Sequence, residues 1–210
     1  LELPSDRDLV LSFFERIEKQ FPQMSSFSRR DSGEYCLEQF HEGQRYRSVC
    51  LDIDRILTSC MNPVAIEDSV NLSRLVLELA PYMLGLSHLD VHSLDVTFVM
   101  DFDYQGNHND VIAEAFYNSG PFSSLLDIPG AKPLGFSPAV IISLDEECRT
   151  HARLSIEPRT SSFEIRNSKY KDDEPISMYF SVRQHPVAGK KFEVLASFDQ
   201  QLEKAQQLMS

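Results

Sequence analysis

Two short stretches gather the oxygen ligands of this chain. DFDYQGNHND, Asp101 to Asp110, sets two aspartates one residue apart ahead of a glycine, two asparagines and a histidine, and CLDIDRI sets Asp52 and Asp54 at the same spacing. Alternate positions of an extended strand share a face, so each pair presents two carboxylates together. Four carboxylates on one sheet face would hold the two divalent ions, roughly 4 Å apart, that metal-assisted phosphoryl transfer uses. That requires the two strands to be neighbours, which a parallel crossover through the intervening helical segment would achieve. Counted as a calcium loop, the first stretch fills positions one, three and six with Asp101, Asp103 and Gly106. Position twelve, which needs a bidentate carboxylate, is Ile112. As a structural turn, Asp101 and Asp103 lie on the solvent face of a strand end, Gly106 turns the chain, and Asn109 or Asp110 caps the next helix. The structural turn accounts for more of these residues, and it is the expectation we adopt.

LDIDRI also resembles the first metal-binding strand of palm-type nucleotide cyclases, including the diguanylate cyclase family. The resemblance implies Asp52 and Asp54 as metal ligands. The second motif of that family, a Gly-Gly-Asp/Glu turn in a hairpin, has no counterpart here, and MDFD does not supply it. A further set, His88, Asp90 and His92, alternates in SHLDVHSLD. Two imidazoles and a carboxylate suit Zn²⁺ or Fe²⁺, but the commoner reading is the polar edge of a loop.

A different chemistry is written into the second half. Arg149, His151 and Arg153 alternate with Ala152, Leu154 and Ile156; Glu164 and Arg166 with Phe163 and Ile165; Tyr179, Arg183 and His185 with Met178, Phe180 and Val182. Side by side, these strands would build a polar face on which Arg153, Arg166, Tyr179, Arg183 and His185 receive a small anionic ligand or an acidic peptide. The alternative is a solvated face with cross-strand ion pairs such as Arg153 to Glu164.

The elements that must position these groups follow from periodicity. Leu9, Val10, Phe13, Phe14 and Ile17 mark a helix over about 6–20, with Ser5 and Asp8 as its capping box. Strands are expected at 34–40 and 47–57, joined near His41-Glu42-Gly43, with the stretch before them a loop. A helix follows at 66–80, ended or kinked by Pro81. The longest alternation in the chain, Leu94 to Tyr104, predicts a strand over about 92–104. The second half opens with a helix at 109–118 and an irregular, proline-rich 119–138. Strands follow at 139–144, 152–157, 162–166 and 176–183, and a last helix at 190–208. The order gives an α+β fold: largely antiparallel sheets with helices packed on one face, divisible into lobes 1–105 and 106–210. Two ferredoxin-like halves fit that order by analogy.

Composition excludes several activities. The formal charge is −12, with 9 basic against 18 acidic residues up to residue 105 and 11 against 14 beyond it. Nucleic acid and anionic membranes are therefore poor partners for the whole molecule. No apolar run is long enough to span a bilayer. The eight glycines form neither a dinucleotide fingerprint nor a P-loop, and no nucleophile elbow occurs. Cys36, Cys50, Cys60 and Cys148 show no metal spacing and are expected as reduced thiols of a cytoplasmic protein. No cofactor is expected.

With no complete catalytic set, a non-catalytic binding or interaction module is the leading expectation. A metal-dependent phosphoryl-transfer enzyme built on Asp52/Asp54 and Asp101/Asp103 is the second. The third is a small-molecule enzyme with its site between the 119–138 loop and the Arg/His face. The terminal stripe Phe192, Leu195, Phe198, Leu202, Ala205 and Met209 suggests a homodimer through the C-terminal helix.

Overall fold

The computed structural model describes residues 7–41, 45–121 and 123–209. Within them the chain is α+β, with two four-stranded antiparallel sheets, and no helix is long and apolar enough to cross a membrane. The chain divides into two compact units. One runs up to His92 and includes Pro186–Asp199; the other is Ser93–His185 with the chain from Gln200.

In the first unit, helix α1 (Arg7–Gln20) turns Val10, Phe13, Phe14 and Ile17 inward, while Leu9 is exposed. The residue proposed to cap it, Ser5, lies outside the described residues. Four consecutive strands follow: β1 (Ser26–Arg29), β2 (Tyr35–His41), β3 (Arg45–Leu51) and β4 (Ile56–Met61), paired in that order. This uninterrupted meander takes the place of the helix-split strands of a ferredoxin-like half. Helix α2 (Ile66–Met83) contributes Leu72, Val76 and Ala80 to the same core as α1, together with Leu37, Val49 and Leu51 from the strands. Pro81 sits in the last turn of α2, where it removes one i→i−4 hydrogen bond and the helix ends two residues later.

Three expectations fail in this unit, the first being the loop expected before 34–40, which carries β1. The predicted single strand 47–57 is a hairpin. Asp52 accepts the Ile53 N–H at 2.7 Å, and its own N–H reaches the Arg55 carbonyl at 3.0 Å, so a turn replaces the strand there. The cysteines also differ from the reduced set. Cys36 and Cys50 face each other across β2 and β3 and form a disulfide, while Cys60 and Cys148 are free.

The second unit begins with β5 (Leu94–Phe102). It belongs here rather than to the first lobe because it pairs antiparallel with β8 (Ile176–Gln184) along its whole length. Next come α3 (His108–Tyr117), the short α4 (Ser123–Leu126), β6 (Ala139–Ser143) and β7 (Thr150–Glu157). The sheet order is β5-β8-β7-β6. Ile156, Ile176 and Met178 on its inner face pack with Ile112 of α3 and with Phe136. The stretch expected as a strand at 162–166 is helix α5 (Ser162–Asn167). Ser161 accepts the Glu164 N–H and Glu164 accepts the Ser161 N–H, a reciprocal cap that outweighs the alternation of SFEIR.

Helix α6 (Val194–Met209) closes the chain. Of the apolar stripe, Phe198 and Ala205 are buried by the single chain, Phe192, Leu195 and Leu202 are half-buried, and Met209 is exposed. In the first unit, Arg74 of α2 holds Asp199 of α6 through two hydrogen bonds, at 2.6 and 3.2 Å.

The hairpin between β6 and β7 is clasped by one carboxylate. Asp145 accepts the N–H of Arg149 at 2.9 Å and of Thr150 at 2.6 Å, while Cys148 takes a left-handed conformation between them. The Arg149 and Thr150 donors hold the Asp145 pKa down from 3.8 to about 2. A depressed folded value gives stability that is complete above 3.8 and is lost as pH falls through about 2. Asp145→Asn should lower the melting temperature at neutral pH and remove part of the acid destabilisation seen in that window. Thermal melts across the acid range measure both, and an unchanged acid slope would contradict the clasp.

Candidate functional site

The polar loop after β5 is a knot between three segments. Asn107, rather than the expected Asn109 or Asp110, caps α3 by accepting the Asn109 N–H at 3.1 Å, and its amide donates to the Pro133 carbonyl at 2.9 Å. Asn109 is fully buried and accepts the Phe136 N–H at 2.8 Å. The buried His108 ring accepts the Arg159 N–H on Nδ1 and reaches the Tyr104 carbonyl through Nε2, both at 3.1 Å, which makes Nε2 the protonated nitrogen. Thr160 closes the third side, accepting the His108 N–H and donating to the Gly106 carbonyl. A Cβ at Gly106 would lie 2.7 Å from the exposed Tyr104 ring, which would have to move aside. These residues are occupied in holding the backbone, and their arrangement is that of a structural joint.

The four aspartates do not share a sheet. Asp52 and Asp54 lie in the β3–β4 turn of the first unit, where Arg55 stands 2.9 Å from Asp54 and 3.6 Å from Asp52. Hydrogen bonding to Arg55 lowers the Asp54 pKa. Asp101 lies on β5 of the other sheet and accepts the Ser177 hydroxyl at 2.7 Å, while Asp103 follows in the loop. Asp90 accepts both the N–H and the hydroxyl of Ser87, which lowers its pKa and makes it a turn residue. Among the described residues no group of three or more His, Cys, Asp or Glu could hold a metal ion.

The polar sheet face is assembled in part. Register places Asp95, Arg183 and His151 in one row across β5, β8 and β7, and Thr97, Ser181 and Arg153 in the next, with Tyr179 beyond. His185 lies past the end of β8, with its ring 5.6 Å from that of His151. Arg183 is already neutralised by Asp95 at 2.7 and 2.6 Å, which raises its pKa. Arg153 is exposed. Arg166 is on α5 and so leaves the strand that was to carry it to this face. The expected Arg153–Glu164 pair is replaced by the α5 cap. Phe136, from the loop expected beside this face, packs instead on the inner face with Ile112 and Ile156.

Several groups escaped the sequence reading. Arg159 reaches the face from a loop and donates to Ser177 and Tyr179, each at 3.2 Å. In the first unit Glu38 accepts from Tyr46 at 2.6 Å and from Arg30 at 2.9 Å, and the Tyr46 bond leads in lowering the Glu38 pKa. A hollow of about 520 Å³ in that unit is lined by residues including Gln23, Gln39, Arg47, Cys60 and Asp68. Its polar groups engage one another, with Gln39 donating to Gln23 at 2.7 Å and Arg47 standing 4.0 Å from Asp68. A smaller apolar hollow of about 290 Å³ in the second unit lies among Phe102, Tyr104, Val111, Phe116 and Met178.

The most exposed apolar element is β6. All five residues are exposed, with Val140 at 57%, Ile141 at 64% and Ile142 at 50%. It is an edge strand, paired only with β7 among the described residues. The sequence signal was present: the run from Pro133 to Leu144 contains no charge, and AVIIS has none of the lysines or inward charges that usually guard an edge.

Compared with models of known protein families and with curated proteins, the chain matches none.

Two outcomes follow from the site geometry. Asn109→Leu leaves the Phe136 N–H without its acceptor and should cost about 2–3 kcal/mol in urea unfolding. Millimolar Mg²⁺, Mn²⁺ or Ca²⁺ should leave the melting temperature within about 1 °C, since ligands stabilise only by binding the folded state. A large divalent-specific rise that Asp52→Asn or Asp101→Asn abolishes would restore the metal reading.

Proposed function

We propose that this chain is a non-catalytic interaction module that takes up a protein partner by strand addition to β6. The observation that carries the reading is the edge itself: five consecutive exposed residues, three of them large aliphatics, on a strand with one open side. Strand addition draws affinity from main-chain hydrogen bonds and specificity from alternate side chains. The first unit supports the reading by default, since its hollow holds polar groups that already bond one another.

A small anionic ligand or acidic peptide on the sheet face has narrower support. Arg153, Tyr179 and Arg183 do share that face, but Arg183 is held by Asp95 and Arg166 is on a helix. Phosphoryl transfer has least support, because its two acidic pairs lie in different sheets. As for location, the Cys36–Cys50 disulfide weighs against the cytoplasmic expectation, because reducing pools keep such thiols apart.

The test uses an uncharged, alternating Val/Thr peptide as a generic strand and follows amide hydrogen exchange. Exchange at Ile141 and Ser143 should slow several-fold on adding the peptide, while Val140 and Ile142, already turned toward β7, should change little. Unaltered exchange at Ile141 and Ser143 in saturating peptide would end the reading.

A further inference from the structure

We propose that the partner of β6 is a second copy of this chain, paired antiparallel about a two-fold axis at Ile141, so that two four-stranded sheets become one of eight strands. This rests on the interaction-module reading above and adds the identity of the partner.

The backbone sets the geometry. The Ile156 N–H bonds the Pro138 carbonyl at 3.0 Å and the Leu144 N–H bonds the Thr150 carbonyl at 2.8 Å. Hydrogen-bonding direction alternates along an antiparallel strand. With Ala139 paired to Ser155 through Ser143 paired to His151 in unbroken register, the even-numbered residues of β6 therefore bond β7. Ala139, Ile141 and Ser143 turn their N–H and C=O groups to the open side. An axis at Ile141 sets Ile141 opposite itself and Ala139 opposite Ser143 of the second copy. Every outward group then meets a complement, in about six main-chain bonds. Pro138 does not blunt this edge, because its missing N–H lies on the β7 side.

Side chains agree with the same register. Val140 meets Ile142 of the second copy on one face, and the two Ile141 side chains meet on the other, so the central cross-strand pairs are aliphatic. Charge selects the orientation. The chain carries −12, so self-association has to keep like charges apart. Asp145, Glu146 and Glu147 follow the strand after Leu144. Antiparallel pairing sends the two acidic runs to opposite ends, whereas parallel pairing would stack them. Arg153, beside Ile141 on β7, stands three strand spacings from its counterpart, about 14 Å, beyond a Debye length in physiological salt. The opposite edge of the sheet, β5, carries Asp95 and Asp101 and lacks this self-complementarity.

A single strand pair lies at the small end of specific interfaces, below about 1,200 Å², so association should depend on concentration. Sedimentation of the full chain from micromolar to near-millimolar concentration should show the mass rising from 24.0 kDa toward twice that value. Ile141→Lys, which places two ammonium groups together at the axis, should stay at one chain mass with an unchanged circular dichroism spectrum. Val99→Lys, an exposed site on β5, should associate as the wild type does. In the unmodified chain, exchange at Ile141 and Ser143 should slow as concentration rises, which tests the surface without any variant. A wild type that stays at one chain mass throughout overturns the proposal, as does a dimer that survives Ile141→Lys. If the wild type stays monomeric while the Val/Thr peptide still protects Ile141 and Ser143, self-pairing falls and the interaction reading stands. If the peptide also fails, both fall.

Discussion

Asn109 places a carboxamide in a fully buried position at the start of α3, and its oxygen takes the N–H of Phe136 from the far end of an irregular stretch. A buried amide is tolerated only when it is bonded, and an irregular stretch keeps one path only where its backbone is tied. Each requirement is met by the other. Asn107 adds the Pro133 carbonyl, and His108 with Thr160 adds the turn before α5. Two residues beyond Phe136 the chain reaches Pro138, whose carbonyl takes the Ile156 N–H, and β6 begins. The Asp145 clasp fixes the other end of that strand. The polar joint and the acidic hairpin tip together hold a short, uncharged strand straight at a sheet edge.

The parts of this architecture that were legible are those set by local period. The α1 stripe, the long alternation of β5 and the outward placing of Arg153, Tyr179 and Arg183 all follow from spacings of 3.6 or 2 residues. The errors arose where a short polar side chain captured its own backbone. Asp52 ended a strand that alternation alone would have continued, and Ser161 with Glu164 made a helix of SFEIR. Sheet order was not legible, because β5 pairs with β8 across nearly the whole second unit. For that reason Asp95 could not be foreseen as the partner of Arg183. Nor could Arg159, which enters from a loop. The Cys36–Cys50 pair was hidden in the same way, since only the β2–β3 register brings the two together.

Among the described residues the acidic excess does not gather into a metal centre, and four of the suspected carboxylates already have donors. Arg55 answers Asp52 and Asp54, Ser177 answers Asp101, and Ser87 answers Asp90. A metal site needs carboxylates whose lone pairs converge without competing donors, and the spacing D-x-D does not report whether donors are present. A sequence pattern for ligands is thus weakest where serine and arginine are close by.

Edge strands ordinarily carry a device that prevents pairing, and β5 has two aspartates on its length while β6 has none. In the proposed pair, the register is enforced by what surrounds β6 rather than by a charge within it. Sliding the two strands so that Ile142 lies on the axis sets Asp145 opposite Ala139 and brings each acidic run over the other copy's strand. Sliding the other way sets Ile142 opposite Pro138 and removes the match of Val140 with Ile142. A slip that changes the pairing by one position sets outward-facing groups of one strand against β7-facing groups of the other, and the ladder is lost. The centred register alone keeps the main-chain bonds and the aliphatic pairs while holding the acidic runs at opposite ends. In the proposed pair, an edge left unguarded along its length is in this way held to one register with a strand of its own kind.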